Sequence, residues 1–140
     1  MPSNALVDTG PLVAWFDKDD HYHRHARRFV AGFKGHLITT WPVVTEVCHL
    51  LPRHVVDRFM AWGIGGGLVL YEMPPDALLD LRKLMQKYAD LPMDLADASL
   101  VWLAGAIGLL DIVTLDDRDF TVYRTAAGKP LRNLLLPLQR

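Results

Sequence analysis

Four acidic residues stand far apart along this chain: Asp8, Glu46, Asp97 and Asp116. Asp8 directly follows the apolar run Ala5-Leu6-Val7, and Asp116 follows Ile112-Val113-Thr114-Leu115. Glu46 lies inside the apolar stretch Val43-Val44-Thr45-Glu46-Val47-Cys48, and Asp97 sits between alanines in Leu95-Ala96-Asp97-Ala98-Ser99-Leu100. Carboxylates that converge without histidine or cysteine partners ask for a hard cation, Mg2+ or Mn2+. Left unneutralised, they would repel one another. A cation held this way suits phosphodiester hydrolysis, because it polarises the phosphate, activates water and offsets charge in the in-line transition state.

Each acid taken singly also has a plainer reading. Asp8 can cap a helix that starts near Pro11. Glu46 can sit on the wet face of its helix. Asp97 follows Asp94 by three positions, as in a capping box, and suits the positive end of a helix dipole. Asp116 is followed closely by Asp117 and Asp119, at least one of which reads as a loop or cap residue. Asp119 is therefore a further candidate for the metal side, and Thr114 could orient a carboxylate or a bound water. The order of the four acids along an alternating chain favours the metal site.

The elements that must position them follow from periodicity and punctuation. Asn4 to Val7 reads as a strand, and a helix beginning around Thr9-Gly10-Pro11 runs to about Phe16. Asp19 and Asp20 precede a second helix, His21 to Phe33, and Leu37 to Thr39 is a short strand. Trp41-Pro42 opens a third helix, Pro52 breaks it, and a fourth runs to about Trp62. The glycines from Gly63 to Gly67 read as a helix-to-strand loop before the β-rich Leu68 to Tyr71. Pro74-Pro75-Asp76 opens a long helix with Leu78, Leu81, Leu84, Met85 and Tyr88 at helical spacing. Another runs from Asp94 to about Ile107 and ends at Gly108, and Ile112 to Leu115 is a strand. The tail, Thr121 to Leu136, suggests a final strand pair around Gly128-Lys129-Pro130. Strands alternating with helices predict a three-layer α/β domain with a mainly parallel central sheet, in which ligands sit at the carboxyl ends of the strands.

Composition sets the frame. The 140 residues, 51% hydrophobic and 22% charged, fit one compact domain spanning 1–140. A single cysteine, Cys48, excludes a disulfide framework and reads as a small hydrophobe. No basic region precedes a long apolar run at the N-terminus, and no window reaches the roughly 18 apolar residues of a membrane span. A cytoplasmic location without membrane attachment is expected. The net charge of -1 gives no bulk signal for nucleic acid, but basic residues gather at Arg24-Arg27-Arg28, at Arg53 with Arg58, and at Arg118, Arg124, Lys129 and Arg132.

Val7-Asp8-Thr9, Thr45-Glu46-Val47, Ala96-Asp97-Ala98-Ser99 and Thr114-Leu115-Asp116-Asp117-Arg118-Asp119-Phe120, in this order, resemble the PIN domain, most of all PIN-domain toxins of the VapC type. The resemblance spans essentially the whole chain. It implies an RNase-H-like or flavodoxin-like α/β/α fold and Mg2+-dependent endoribonuclease activity. Asp8, Glu46, Asp97 and Asp116 match the four acidic positions, and Thr9 and Thr114 the small hydroxyl companions. On this reading Asp8 and Asp97 bind the ion directly, Asp116 and Glu46 complete the site partly through water, and Arg118 is a candidate for holding the RNA backbone. Homodimers and a small antitoxin that blocks the site are further implications.

Other chemistries compete with this one. Asp8-Thr9-Gly10 is also the kind of triplet aspartic proteases use, but they need two such aspartates sharing a proton in a β-rich frame. His21 and His25 lie four apart on an expected helix, without the Glu of a zincin or a further ligand. Trp41, Trp62, Trp102 and the leucine stripes read as core or dimer contacts rather than a binding module. A PIN-like fold that has lost activity and only binds a protein or RNA is the non-enzymatic alternative.

Overall fold

The computed structural model describes residues 3–135. Strand β1 (Ala5–Val7) and strand β2 (Leu37–Thr40) are buried along their full length, because both their faces are covered. They pair in parallel, with Ala5 opposite Leu37. On the far side of β1 lies β4 (Asp111–Val113), with Val7 opposite Val113, and beyond it the short β5 (Arg132–Asn133). The other edge is β3 (Leu68–Tyr71), which buries Leu68 and Leu70 in part and exposes Val69 and Tyr71. The order is β3-β2-β1-β4-β5 and every pairing is parallel, so the sheet is wholly rather than mainly parallel.

Seven helices occur among the described residues, and they complete a three-layer α/β/α architecture. Helices α1 (Thr9–Phe16) and α2 (His23–Gly32) link β1 to β2; α3 (Trp41–Leu50) and α4 (Arg53–Trp62) link β2 to β3. Helices α5 (Ala77–Lys87) and α6 (Leu95–Ile107) then carry the chain back across the sheet to β4. This return reverses the direction of strand addition between β1 and β4. In open parallel sheets that reversal opens a crevice at the carboxyl ends of the two strands. The core fills the space on both sides with Leu6, Val43, Val47, Leu100, Leu103 and Ile112.

Several expectations need correction. The first strand starts at Ala5 rather than Asn4, and α2 begins at His23, so His21 precedes the helix and lies edge-on to Tyr22. The neighbouring Asp20 takes the Tyr22 N–H at 2.9 Å, which closes a turn and delays helix entry. The glycine segment continues from α4 as a wide turn of Gly63–Gly67, relieved at Gly66 by a φ of 102° that side chains rarely adopt. Leu78 is exposed, whereas Ala77, Leu81 and Leu84 face the core. Trp41 is also exposed, while Trp62 and Trp102 pack against the core. The tail departs most. Asp117–Val122 forms helix α7, and the strand pair reduces to an isolated antiparallel bridge between Arg124 and Pro130 followed by β5. Leu136 lies outside the described residues.

Candidate metal centre

Asp8 is placed by the sheet itself. Its N–H donates to the Val113 carbonyl at 3.0 Å, which extends the β1–β4 ladder by one residue beyond β1. The side chain then caps α1: Oδ1 accepts the Thr9 N–H at 2.8 Å, while Oδ2 accepts the Thr114 hydroxyl at 2.8 Å. Capping and site duty therefore coexist in one carboxylate. Thr114 is held in turn by Asn133, whose Oδ1 accepts the Thr114 N–H at 3.2 Å and whose amide donates to the Thr114 carbonyl at 3.1 Å.

Asp97 sits in the first turn of α6, where it forms a capping box with Asp94. The Asp97 N–H donates to Asp94 at 2.8 Å, and Asp97 Oδ2 accepts the Asp94 N–H at 3.3 Å. The helix is drawn close by small residues: Ala98 and Ser99 are fully buried, and the Thr40 and Ser99 hydroxyls meet at 2.6 Å. Ser99 already donates to the Ala96 carbonyl, so Thr40 is the donor of that pair. This contact fastens the carboxyl end of β2, from which α3 departs, to α6. Glu46 on α3 is half-buried and lines the same opening. Asp116 lies three residues beyond β4 and caps α7 by accepting the Asp119 N–H at 3.2 Å.

Asp8, Glu46, Asp97 and Asp116 thus line one open cleft of about 600 Å³, together with Thr9, Asp94 and Asp119. Asp117 is exposed and takes the Asn133 amide at 3.1 Å instead, which separates it from its two neighbours. Arg118 is exposed on α7 and outside the cleft lining; its charge reaches Asp116 and lowers that pKa only as a minor influence. Sequence reasoning gave no role to Asn133, to the Thr40–Ser99 pair or to Tyr123. Nothing in the spacing of these residues marks them.

The electrostatics follow from crowding. Burial pushes Asp8 up to about 6, against the hydrogen bonds from Thr114 and Thr9, and the charges of Glu46 and Asp116 add to the rise. Burial also pushes Asp97 up to about 8, with the charges of Asp8 and Asp94 next in importance. Burial raises Glu46, opposed by the nearby Thr9 hydroxyl and reinforced by Asp94. Thr9 Oγ1 nevertheless has no partner in hydrogen-bond geometry. Asp116 is raised by burial first, with the Asp119 N–H opposing. Among the described residues the one ion pair joins Arg132 to Asp111 at 2.8 Å, so none of the cleft carboxylates has a described cationic side chain at ion-pair distance.

An all-oxygen, negatively charged set without a counter-ion fits a hard divalent cation. Among the described residues, no group of three or more His, Cys, Asp or Glu side chains would hold an ion as it stands. The carboxylates share a cleft and each other's fields.

Fold and cleft together define a parallel α/β protein with a carboxylate-lined site at the strand-order reversal. The PIN domain profile matches residues 5–126, and the chain belongs to that family. It is similar to Ribonuclease VapC26 of Mycobacterium tuberculosis, with 28% identity over 127 residues that cover 88% of this chain and 94% of the relative. Its fold is similar to the crystal structure of Mycobacterium tuberculosis VapC20, a sarcin-ricin loop cleaving toxin, with a TM-score of 0.75 and 18% identity over 83% of this chain and 92% of the other. No helix among the described residues is long and apolar enough to cross a membrane.

Proposed function

We propose that the chain is a Mg2+- or Mn2+-dependent endoribonuclease, a single PIN domain over residues 1–140 that acts in the cytoplasm as the toxin of a toxin–antitoxin pair. One observation carries this reading. Four carboxylates from separate stretches of the chain line one cleft, and among the described residues no cationic side chain is paired with any of them. A protein that only bound a partner would have no physical reason to gather such charge. Membership in the PIN family and the likeness to a VapC ribonuclease support the same reading.

Asp8 and Asp97 are the residues assigned to hold the cation, with Glu46 and Asp116 completing the set. When bound, the cation supplies charge for the phosphate oxygens and makes an attacking water more acidic. The chain's own contribution is positioning. Thr114 and the Thr9 N–H fix both oxygens of Asp8, and the capping box fixes Asp97. Thr9 lies beside Glu46, and Asp119 adds charge next to Asp116. In the metal-free protein Asp97 holds its proton near neutral pH, and it must release that proton when it becomes a ligand.

Incubation of total RNA with the purified chain tests this directly. Cleavage in Mg2+ or Mn2+, its loss in EDTA, and its loss in Asp97→Asn are expected. Full cleavage in EDTA, or by Asp97→Asn, overturns the assignment. A homodimer and an inhibitory antitoxin are part of the proposal. The first is checked by sedimentation, the second by co-purification with the product of any short adjoining reading frame and by inhibition of cleavage.

A further inference from the structure

Beside the acidic cleft lies a second one, of about 400 Å³, whose chemistry is opposite in kind. Helices α2 and α4 each present a histidine and an arginine one turn apart: His23 with Arg27, and His54 with Arg58. Residues at i and i+4 share a helix face, and all four side chains line this one cleft. Its apolar wall includes Trp15 and Phe16, which meet edge-on at 4.7 Å and pack against Trp62. His23 is held in place, since its Nδ1 donates to the Ala14 carbonyl at 2.7 Å.

The two guanidinium groups have no carboxylate at ion-pair distance among the described residues, where the one ion pair is Arg132–Asp111. Lys18 adds a third positive charge at the rim, and Asp17 and Asp19 stand there too. Of these, Asp17 is turned to its own loop, where Oδ1 accepts the Asp19 N–H at 3.0 Å. Planar guanidinium forks match phosphate oxygens in geometry as well as charge. An acidic peptide would offer a similar charge, but the position of the cleft favours a polynucleotide. The α1–α2 connection that supplies Asp17 and Asp19 to this cleft supplies Asp20 and Tyr22 to the acidic one, and the α3–α4 junction gives Pro52 to one and Leu50 to the other.

We propose that the α2–α4 cleft is a phosphate-binding subsite for the single-stranded RNA flanking the cleaved bond, gripped by Arg27 and Arg58 across the two helices. This rests on the ribonuclease reading above. The subsite sets affinity and register, and leaves metal binding to the acidic cleft.

The test uses Asp97→Asn protein, to prevent turnover, and a fluorescent single-stranded RNA oligonucleotide read by anisotropy across a salt series. Each lost phosphate contact lowers the slope of log affinity against log salt by about 0.7 for a single strand, so Arg27→Ala with Arg58→Ala should lower it by about 1.4. The exposed pair Arg24→Ala with Arg28→Ala carries the same charge change outside the cleft lining. A markedly smaller effect from that control, together with unchanged Mn2+ affinity in both, supports the subsite. An equal effect from both pairs, or an unchanged slope, overturns it. Loss of poly-glutamate binding with RNA binding intact assigns the cleft to an acidic peptide and also overturns it. Cleavage by the unsubstituted protein is measured separately, so cleavage with an unaltered slope defeats the subsite alone. Absence of both cleavage and RNA binding defeats the ribonuclease reading with it.

Discussion

The Thr114 hydroxyl donates to Asp8 Oδ2 at 2.8 Å across a sequence separation of 106 residues, and both groups are buried. The bond joins the carboxyl ends of the two strands between which the sheet reverses. It also opposes the desolvation that pushes the Asp8 carboxyl up to about 6. Thr114→Val keeps the shape and removes the donor. A hydrogen bond to a charged group contributes about 1.5–3 kcal/mol, so the variant should lose stability of that order at pH 8. Asp8 should then titrate above its present value, and the acid limb of RNA cleavage should move to higher pH. Chemical denaturation and a pH–rate profile check the two effects, and an unmoved acid limb would count against Asp8 as an essential carboxylate.

Metal-free stability should fall as pH rises through the neutral range. Asp8 and Asp97 have folded pKa values of about 6 and about 8, both above the unfolded carboxylate value near 3.9. Between those limits the folded chain binds more protons than the unfolded one, so each rise in pH favours unfolding. Their favourable contribution is complete below about pH 4 and is lost by about pH 8. Thermal unfolding in EDTA from pH 5 to pH 8.5 should show a declining Tm, flattened in Asp97→Asn. A rising Tm in the parent over that window would contradict the burial of these groups.

Cation binding should reverse that trend and expel protons. Asp97 is protonated at pH 7 without a cation and must ionise to act as a ligand. Calorimetry of Mn2+ binding in buffers of different ionisation enthalpy should detect proton release at pH 6.5–7 that shrinks toward pH 9. The same titration in Asp97→Asn should show less release and weaker binding. Equal proton release in both proteins would remove Asp97 from the ligand set.

Tyr123 is fully buried, edge-on to Tyr88 and Phe120, yet its hydroxyl has no partner. Burial, and next the charge of Asp97, push its pKa upward. An unsatisfied buried hydroxyl costs about 1–3 kcal/mol, so Tyr123→Phe should leave the metal-free protein at least as stable as the parent. The contrast is Ser99→Ala, which strips the Thr40 hydroxyl of its acceptor and should destabilise by a similar amount. Paired denaturant midpoints decide this, and a clear loss in Tyr123→Phe would mean the hydroxyl is satisfied after all.

Much of the architecture was legible in the chain itself. Alternation of buried runs with amphipathic segments announced a parallel α/β sheet, because strands covered on both faces must be apolar throughout, as β1 and β2 are. Gly108, with a φ of 68°, ends α6 where the sequence expected it. Local signals failed where a weak element depends on remote partners. The segment Arg132–Asn133 becomes a strand through pairing with β4, and α7 is a six-residue helix with Asp116 as its cap.

For the cleft, the residue types and their order were enough to nominate the four acids and to name a hard cation, since carboxylates without nitrogen or sulfur partners leave little other choice. Tertiary structure alone decided their surroundings. It turned Glu46 inward, separated Asp116 and Asp119 from Asp117, and brought Thr114 onto Asp8. It also set the His–Arg pairs of two helices around a common space. The physical reason is that a side chain's chemistry is local, while its burial, pKa and partners depend on segments far away in the chain.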